Sequence, residues 1–402
     1  MNILFISLDD YCSFSERGTY TDVLRELIKR GNNIVAISPT NDKNYSGFFT
    51  FGSSTIIKPL CISSQKVGFI KKGLSIFLIP RAIKKAIKLL LKSDKINFDL
   101  VLYATPPVTI APVIRFLKKK FPSIKSFLML KDIWPQVAID VGMLSNKGIK
   151  KGLTDIIKKY EMMLYSLSDY IGCMSPGNCE YIANIYPDFQ KKVLLCPNSM
   201  EPFNCYKNYS FREKLKINKE EIMLLYGGNI GVMQGIPFLC ECLLIIERIS
   251  NVKTIICGRG TEYKTLEKFV IENNLRNTIL INGLPRDEFE SLTSECDYGM
   301  VFLDWRATTP NFPSRILTYM NNSKPIIACT DLATDVGKII QNNNFGWWIP
   351  SNDSKQFELI INKIINNNEY STMCKNSYNY FINNYTSEKT ADIILSCVLN
   401  DD

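Results

Sequence analysis

Residues 221–248 read EIMLLYGGNIGVMQGIPFLCECLLIIER, an apolar run, then a loop in which Gly227, Gly228, Gly231 and Gly235 are four of nine residues, then a second apolar stretch. Glycine is otherwise sparse, 21 of 402 residues, so the cluster is local. A strand that passes through glycines into a helix lets backbone N–H groups approach an anion, and the helix dipole favours the negative charge. The spacing is neither of the common nucleotide fingerprints. The first strand, ILFISLDD, is not followed by G-x-G-x-x-G, and no G-x-x-x-x-G-K-[ST] occurs.

The same alternation of short apolar runs and amphipathic segments extends over the whole chain, which predicts parallel sheets with crossover helices. Strands are expected near 2–8, 33–38, 99–103, 125–130, 170–174 and 193–196, with a helix at 19–30 closed by Gly31. A second set is expected near 222–227, 253–257, 278–282, 298–303 and 325–329. Each half is then a doubly wound α/β domain whose ligand lies at the carboxyl ends of its strands. The joint is placed near Pro197-Asn198-Ser199, giving domains 1–200 and 201–379, with a last helix at about 380–402 joining the first domain. The Asn-rich segments past residue 340 read as turns and helix ends.

Composition narrows the chemistry. The chain has 46% hydrophobic and 22% charged residues, the balance of a globular protein with a sizeable core, and no histidine. Imidazole bases, Ser/His/Asp or Cys/His nucleophiles and His-ligated metals are therefore excluded. The thirteen cysteines contain no C-x-x-C; Cys240 and Cys242 fall in an apolar helical stretch and read as buried thiols, which predicts a reducing compartment. MNILFISLDD lacks a basic n-region, and no apolar run is long enough to span a membrane, so a cytoplasmic protein is expected.

The net charge of +9 is uneven: residues 1–200 carry 28 Lys+Arg and 15 Asp+Glu, residues 201–402 carry 20 and 24. Much of the excess lies in residues 68–95, where Ile76, Ile79, Ile83, Ile87 and Leu90 recur at helical spacing and Arg81, Lys84, Lys85, Lys88 and Lys92 take the other face. A second basic cluster occupies 114–125. Together they predict a surface facing anionic lipid headgroups at the inner face of a membrane. No nucleic-acid module accompanies them, so nucleic acid is not an expected partner.

Two further elements complete the expected anion site. Arg259 lies between glycines at a strand end in ICGRGTEY, and Ser314 and Arg315 open a helix in PNFPSRILTYM. Two arginines and a glycine loop at strand-to-helix transitions of one domain can neutralise a diphosphate without a metal, and no metal ligands are expected.

The motifs DLVLYATPPVTIAP, LKDIWPQVAIDVGML, YGGNIGVMQG, ICGRGTEY, INGLPRDEFESL and PSRILTYMNNSKPII, in this order, resemble family 4 of the retaining glycosyltransferases, of GT-B fold. The branch they are most similar to builds bacterial O-antigen, capsule and exopolysaccharide. The resemblance implies two Rossmann-like domains facing across a cleft, the first for the acceptor and the second for a nucleotide-diphosphate sugar. It implies transfer with retention and without metal, and no cofactor other than the donor substrate. The implied acceptor is an undecaprenyl-diphosphate-linked glycan. By motif position, Gly228, Asn229, Gly231, Gln234 and Gly235 match the loop under the diphosphate, and Arg259 and Gly260 the segment flanking the donor. Leu284, Pro285 and Arg286 match the edge near the base, and Ser314 and Arg315 the P-S-[KR] element, with Arg315 its catalytic cation. Arg17 and Gly18 match the loop where donor and acceptor meet.

Family members often carry two Glu separated by seven residues, the second gripping the ribose; here Pro310 and Thr318 stand in those places, so ribose contact through Thr318 is a weaker, neutral hydrogen bond. Asp132, after the apolar strand SFLML and just before Trp134-Pro135, is read either as a carboxylate that orients the acceptor hydroxyl, with Trp134 beside it in the acceptor site, or as the cap of the next helix. Two other functions stay open: a nucleotide-sugar epimerase of the same fold, and a degenerate scaffold subunit.

Overall fold

The computed structural model describes residues 1–61, 69–93, 96–148, 151–204 and 210–399. The chain divides into two compact units, Met1–Glu201 with Ser387–Asp402, and Pro202–Thr386.

The first unit is built on an eight-stranded sheet: β1 (Asn2–Ile6), β2 (Asn33–Ile37), β3 (Gly47–Phe51), β4 (Ser54–Lys58), β5 (Leu100–Thr105), β6 (Lys125–Leu130), β7 (Tyr170–Cys173) and β8 (Val193–Leu195). Their order is β3-β4-β2-β1-β5-β6-β7-β8, all parallel except the β3–β4 pair. Its helices are α1 (Thr21–Lys29), α2 (Phe69–Ser93), α3 (Ala111–Lys120), α4 (Gln136–Asp140), α5 (Lys151–Leu167) and α6 (Pro176–Ile185). β5 and β6 are near-continuous apolar runs because helices cover both faces of a parallel sheet. α1 follows the expected pattern: Val23, Leu24 and Leu27 are buried, and the chain leaves it through Gly31 at φ +81°.

The second unit starts with α7 (Phe211–Lys214) and β9 (Ile222–Asn229), followed by α8 (Ile236–Glu247), β10 (Val252–Arg259), α9 (Tyr263–Glu272), β11 (Thr278–Ile281), α10 (Arg286–Glu295) and β12 (Tyr298–Phe302). It continues with α11 (Ile316–Asn321), β13 (Ile326–Thr330), α12 (Val336–Asn342), β14 (Gly346–Pro350), α13 (Ser354–Ile365) and α14 (Tyr370–Asn384). The six strands are parallel in the order β11-β10-β9-β12-β13-β14. In each sheet the strand order reverses once, between β1 and β5 and between β9 and β12, and the loops leaving those strands mark the ligand crevice.

Three features depart from the sequence reading. The hairpin β3–β4 was not foreseen; Gly52-Ser53 forms its two-residue turn, with Gly52 at φ +60° as such a turn requires. The strand β14 was also missed. The last helix, α15 (Ser387–Leu399), begins later than expected, because Phe381 and Tyr385 are buried in the second unit, where Tyr385 stacks on Phe312. α15 packs Ala391 and Ile394 into the core of the first unit, and Arg30 of α1 pairs with Asp392. Where the chain re-enters that unit, Ser387 N–H donates to the Met200 carbonyl at 3.1 Å.

The basic segments take the expected form where described. Ile79, Ile83, Ile87 and Leu90 of α2 are buried while Arg81, Lys85, Lys88 and Lys92 are exposed. Residues 68, 94 and 95 of that segment lie outside the described residues, and so does the side chain of Ile76. Lys84 and Lys88 sit over the Phe116 ring of α3 at 4.9 and 5.8 Å. In the second cluster Lys118 is neutralised by Asp169 at 2.7 Å. Among the described residues no helix is long and apolar enough to cross a membrane. Cys240 and Cys242 are buried on α8, as read.

Candidate functional site

In the second unit the glycine loop leaves β9 at the sheet's switch point. Gly227 N–H donates to Tyr319 Oη at 2.9 Å. Asn229 Nδ2 donates to Gln234 Oε1 at 2.8 Å, so the two polar residues of the loop brace each other across its turn. Gly235 stands at φ +59°, where a Cβ would lie 3.2 Å from Asp304 Cα and 3.2 Å from the Leu303 carbonyl. Only glycine lets the loop seat on the chain leaving β12 while turning left-handed into α8. Gly260 is needed for a different reason: a Cβ there would fall 2.0 Å from the Ile230 carbonyl, which accepts the Glu262 N–H at 2.9 Å. Gly228, Asn229, Gly231, Gln234, Gly235 and Gly260 thus belong to one substructure.

Three arginines border it. Arg315 lies 4.5 Å over the Phe289 ring, and a Cβ on Gly228 would be 3.9 Å from its Nε. The residue is exposed to solvent and has no carboxylate partner among the described residues. Desolvation pulls its basicity below the usual arginine value, and the positive charge of Arg286 adds to this. Arg259 anchors through Nε to the Asn282 carbonyl at 3.1 Å and packs on Gly283. Arg259 and Arg315 both act on the buried Cys257 thiol, which burial pushes up to about 11, so the two cations share one neighbourhood. Arg286 instead pairs with Glu290 on its own helix at 2.9 Å, beside the half-buried Leu284 and exposed Pro285. Ser314 is exposed; Thr318 is buried at 7% within α11.

Sequence reasoning missed the supports. A Cβ on Gly227 would meet Phe289 Cζ at 2.2 Å, so Phe289 holds both the loop and Arg315. Asp304 accepts from Arg306 Nε and Nη2 at 2.8 and 2.7 Å while its own N–H donates to the Met233 carbonyl at 2.9 Å, tying the chain after β12 to the glycine loop. A signal for such residues was present. Apolar runs that end in Asp, as in ILFISLDD, FLMLKD, MVFLDW and IIACTD, mark the carboxyl ends of four strands.

The first unit has a cavity of ≈ 480 Å³ beyond the ends of β1 and β2, lined among others by Asp9, Tyr11, Arg17, Gly18, Tyr20 and Thr21. Gly18 N–H donates to Asp22 Oδ1 at 3.1 Å, and the buried Asp22 also pairs with Arg25 at 2.7 Å. Burial, then the charges of Asp9 and Asp132, push the Tyr20 hydroxyl above its ordinary value, so both carboxyls lie within electrostatic reach of this one ring. Burial raises Asp132 from 3.8 to about 7. Asp132 does not cap the following helix: the residue at the start of α4 is Pro135, and no side-chain cap bond is made. Trp134 packs against the core of the unit and does not appear among the residues that line the cavity.

Residues 208–380 match the family described as glycosyl transferases group 1. The chain is 22% identical over 279 residues to WbjE of Pseudomonas aeruginosa, a probable glycosyltransferase, covering 66% of each chain. It is 21% identical over 240 residues to O-antigen chain mannosyltransferase C of Escherichia coli, covering 59% of this chain and 63% of that one. The matches therefore span just under two thirds of the length of these curated relatives. Sucrose-phosphate synthase from Thermosynechococcus elongatus has the same fold, with a TM-score of 0.75 at 15% identity over 100% of this chain and 98% of its own. That fold is GT-B.

Proposed function

We propose, from the match of residues 208–380 to the group 1 glycosyl transferases, that the chain transfers a sugar, with retention, from a nucleotide-diphosphate donor to a lipid-linked glycan in bacterial surface-polysaccharide assembly. One observation carries the reading: Arg315, held over Phe289 with no carboxylate to neutralise it, borders a glycine loop that opens onto a helix. A cation without a carboxylate partner beside a glycine loop at a helix N-terminus is suited to a diphosphate.

The chemistry follows from these groups. The acceptor hydroxyl attacks the anomeric carbon on the face the diphosphate leaves; the carbon–oxygen bond to phosphate breaks as the new glycosidic bond forms. The acceptor proton passes to the departing phosphate oxygen, so the chain need supply no base, which suits one without histidine. Arg315, Arg259 and the loop stabilise the charge that develops on the leaving group, and Asp132 orients the hydroxyl. Two arginines can carry that charge in place of a metal. Thr318 offers the ribose a neutral hydroxyl.

The likeness to the O-antigen chain mannosyltransferase C of Escherichia coli supports O-antigen synthesis, and the exposed lysines of α2 support docking on the inner face of an anionic membrane, with an undecaprenyl-diphosphate-linked glycan as acceptor. The decisive experiment is a screen of nucleotide sugars against a lipid-diphosphate-linked acceptor with mass and anomeric readout, repeated for Arg315→Ala. Loss of one such donor group costs about 2.7–4 kcal/mol of transition-state stabilisation, a 10²–10³-fold fall in kcat with the fold intact. An Arg315→Ala enzyme that turned over like the parent would refute the phosphate assignment.

A further inference from the structure

The cavity of the first unit has a charge opposite to that of its surroundings. Residues 1–200 are strongly basic, yet the cavity is lined by three carboxylates, Asp9, Asp10 and Glu16, against one cation, Arg17; Asp132 lies outside the lining, with its charge acting on the lining ring of Tyr20. Lys58 is committed to Asp10, and Glu16 accepts the Cys12 and Ser13 N–H groups at 2.7 and 3.0 Å. Asp9 and Asp132 have no ion-pair partner among the described residues. Two hydroxyls on the lining are unsatisfied: Tyr11 is 5% exposed and Thr21 3%, and neither Tyr11 Oη nor Thr21 Oγ1 has a hydrogen-bond partner. A buried hydroxyl left unbonded costs free energy until something completes it.

We propose that this cavity receives the acceptor's terminal sugar and selects a ring that bears no carboxylate or phosphate: a hydroxyl-rich sugar that donates to Asp9 and bonds Tyr11 and Thr21. An acidic ring would bring its charge against unpaired carboxylates in a partly desolvated pocket, where like charges repel strongly. Its volume of ≈ 480 Å³ falls in the range of small-molecule sites. The lysines of α2 thus serve the lipid end of the acceptor, and the acidic cavity reads the sugar end.

The inference rests on the proposed glycosyl transfer, and its test separates the two. The full chain is given matched lipid-diphosphate acceptors that differ only at the terminal sugar, glucose against glucuronic acid and galactose against galacturonic acid, while donor binding is followed in the same samples by titration of nucleotide sugars. In the active pair the uronic acid member should have about a tenfold lower kcat/KM, and Asp9→Asn should narrow that gap to about threefold or less. Tyr11→Phe should raise the acceptor KM several-fold, leave kcat unchanged and leave the melting temperature equal or higher, since it removes an unbonded hydroxyl. Equal use of both members, or a gap that Asp9→Asn does not change, overturns the inference while intact donor binding preserves the functional reading. If no pair turns over, saturation-transfer NMR with the methyl glycosides must show the uncharged member bound in preference and in a Tyr11-dependent way; absence of that too overturns it. Loss of all donor binding refutes the functional reading instead.

Discussion

Replacing Asp132 by Asn should make the first unit more stable at neutral pH and less able to use its acceptor. Burial raises this carboxyl from 3.8 to about 7. The unfolded chain loses its proton near the ordinary value and the folded chain only near neutrality, so the folded state binds more protons between these limits. Stability from this group is therefore fully present below pH 4 and is lost as pH rises through 7. Each unit of pH between the two values costs about 1.4 kcal/mol, so wild type should lose about 2.7 kcal/mol between pH 5 and pH 7 that the Asn variant keeps. In a unit of this size 1 kcal/mol moves the melting temperature by about 2–4 °C, giving a gap of about 5–10 °C at pH 8 that shrinks towards pH 5. Calorimetric scans of both proteins at pH 5, 6, 7 and 8 measure it. Parallel curves across that range would show that Asp132 is not held in a charge-hostile place. A stabilised variant with undiminished acceptor turnover would sink its role in orienting the hydroxyl.

Other outcomes are expected around the donor loop. Phe289→Leu removes the ring under Arg315, a contact of about 0.5–2 kcal/mol, and should cut kcat/KM by about three- to thirtyfold with a circular dichroism spectrum like the parent's. Gly235→Ala forces a Cβ against Asp304 and a left-handed φ on an L residue, and should cost about 1–3 kcal/mol in denaturant unfolding of the second unit and weaken nucleotide binding. Because the arginines are proposed to carry the diphosphate charge, EDTA should leave the transfer rate within about twofold of that with magnesium; a rate that collapses and returns with the metal would refute metal independence.

How much could be read in advance depended on how local the signal was. The glycine loop and the strand and helix beside it were legible because a short apolar run, four glycines and a longer apolar run follow one another within 28 residues. β3 was lost because three of its five residues are exposed, so an edge strand has no buried face to impose a period, although the Gly52-Ser53 turn was there to be used. β14 was hidden by flanking asparagines and its Pro350. Arg315 and Arg259 were visible as cations at strand-to-helix joints. Phe289 was not, because its link to Arg315 spans 26 positions and exists only once α10 and α11 fold beside each other.

The hydrogen bond from Ser387 to the Met200 carbonyl has a consequence for modularity. It pins the chain's exit from the first unit beside its return, so the second unit is a cassette inserted through one narrow doorway, with its two ends side by side. Domains with adjoining ends tolerate excision and grafting. Residues 202–386 are therefore the natural piece to exchange between relatives; under the proposed division of roles, such an exchange should change which donor is used and leave acceptor choice as it was.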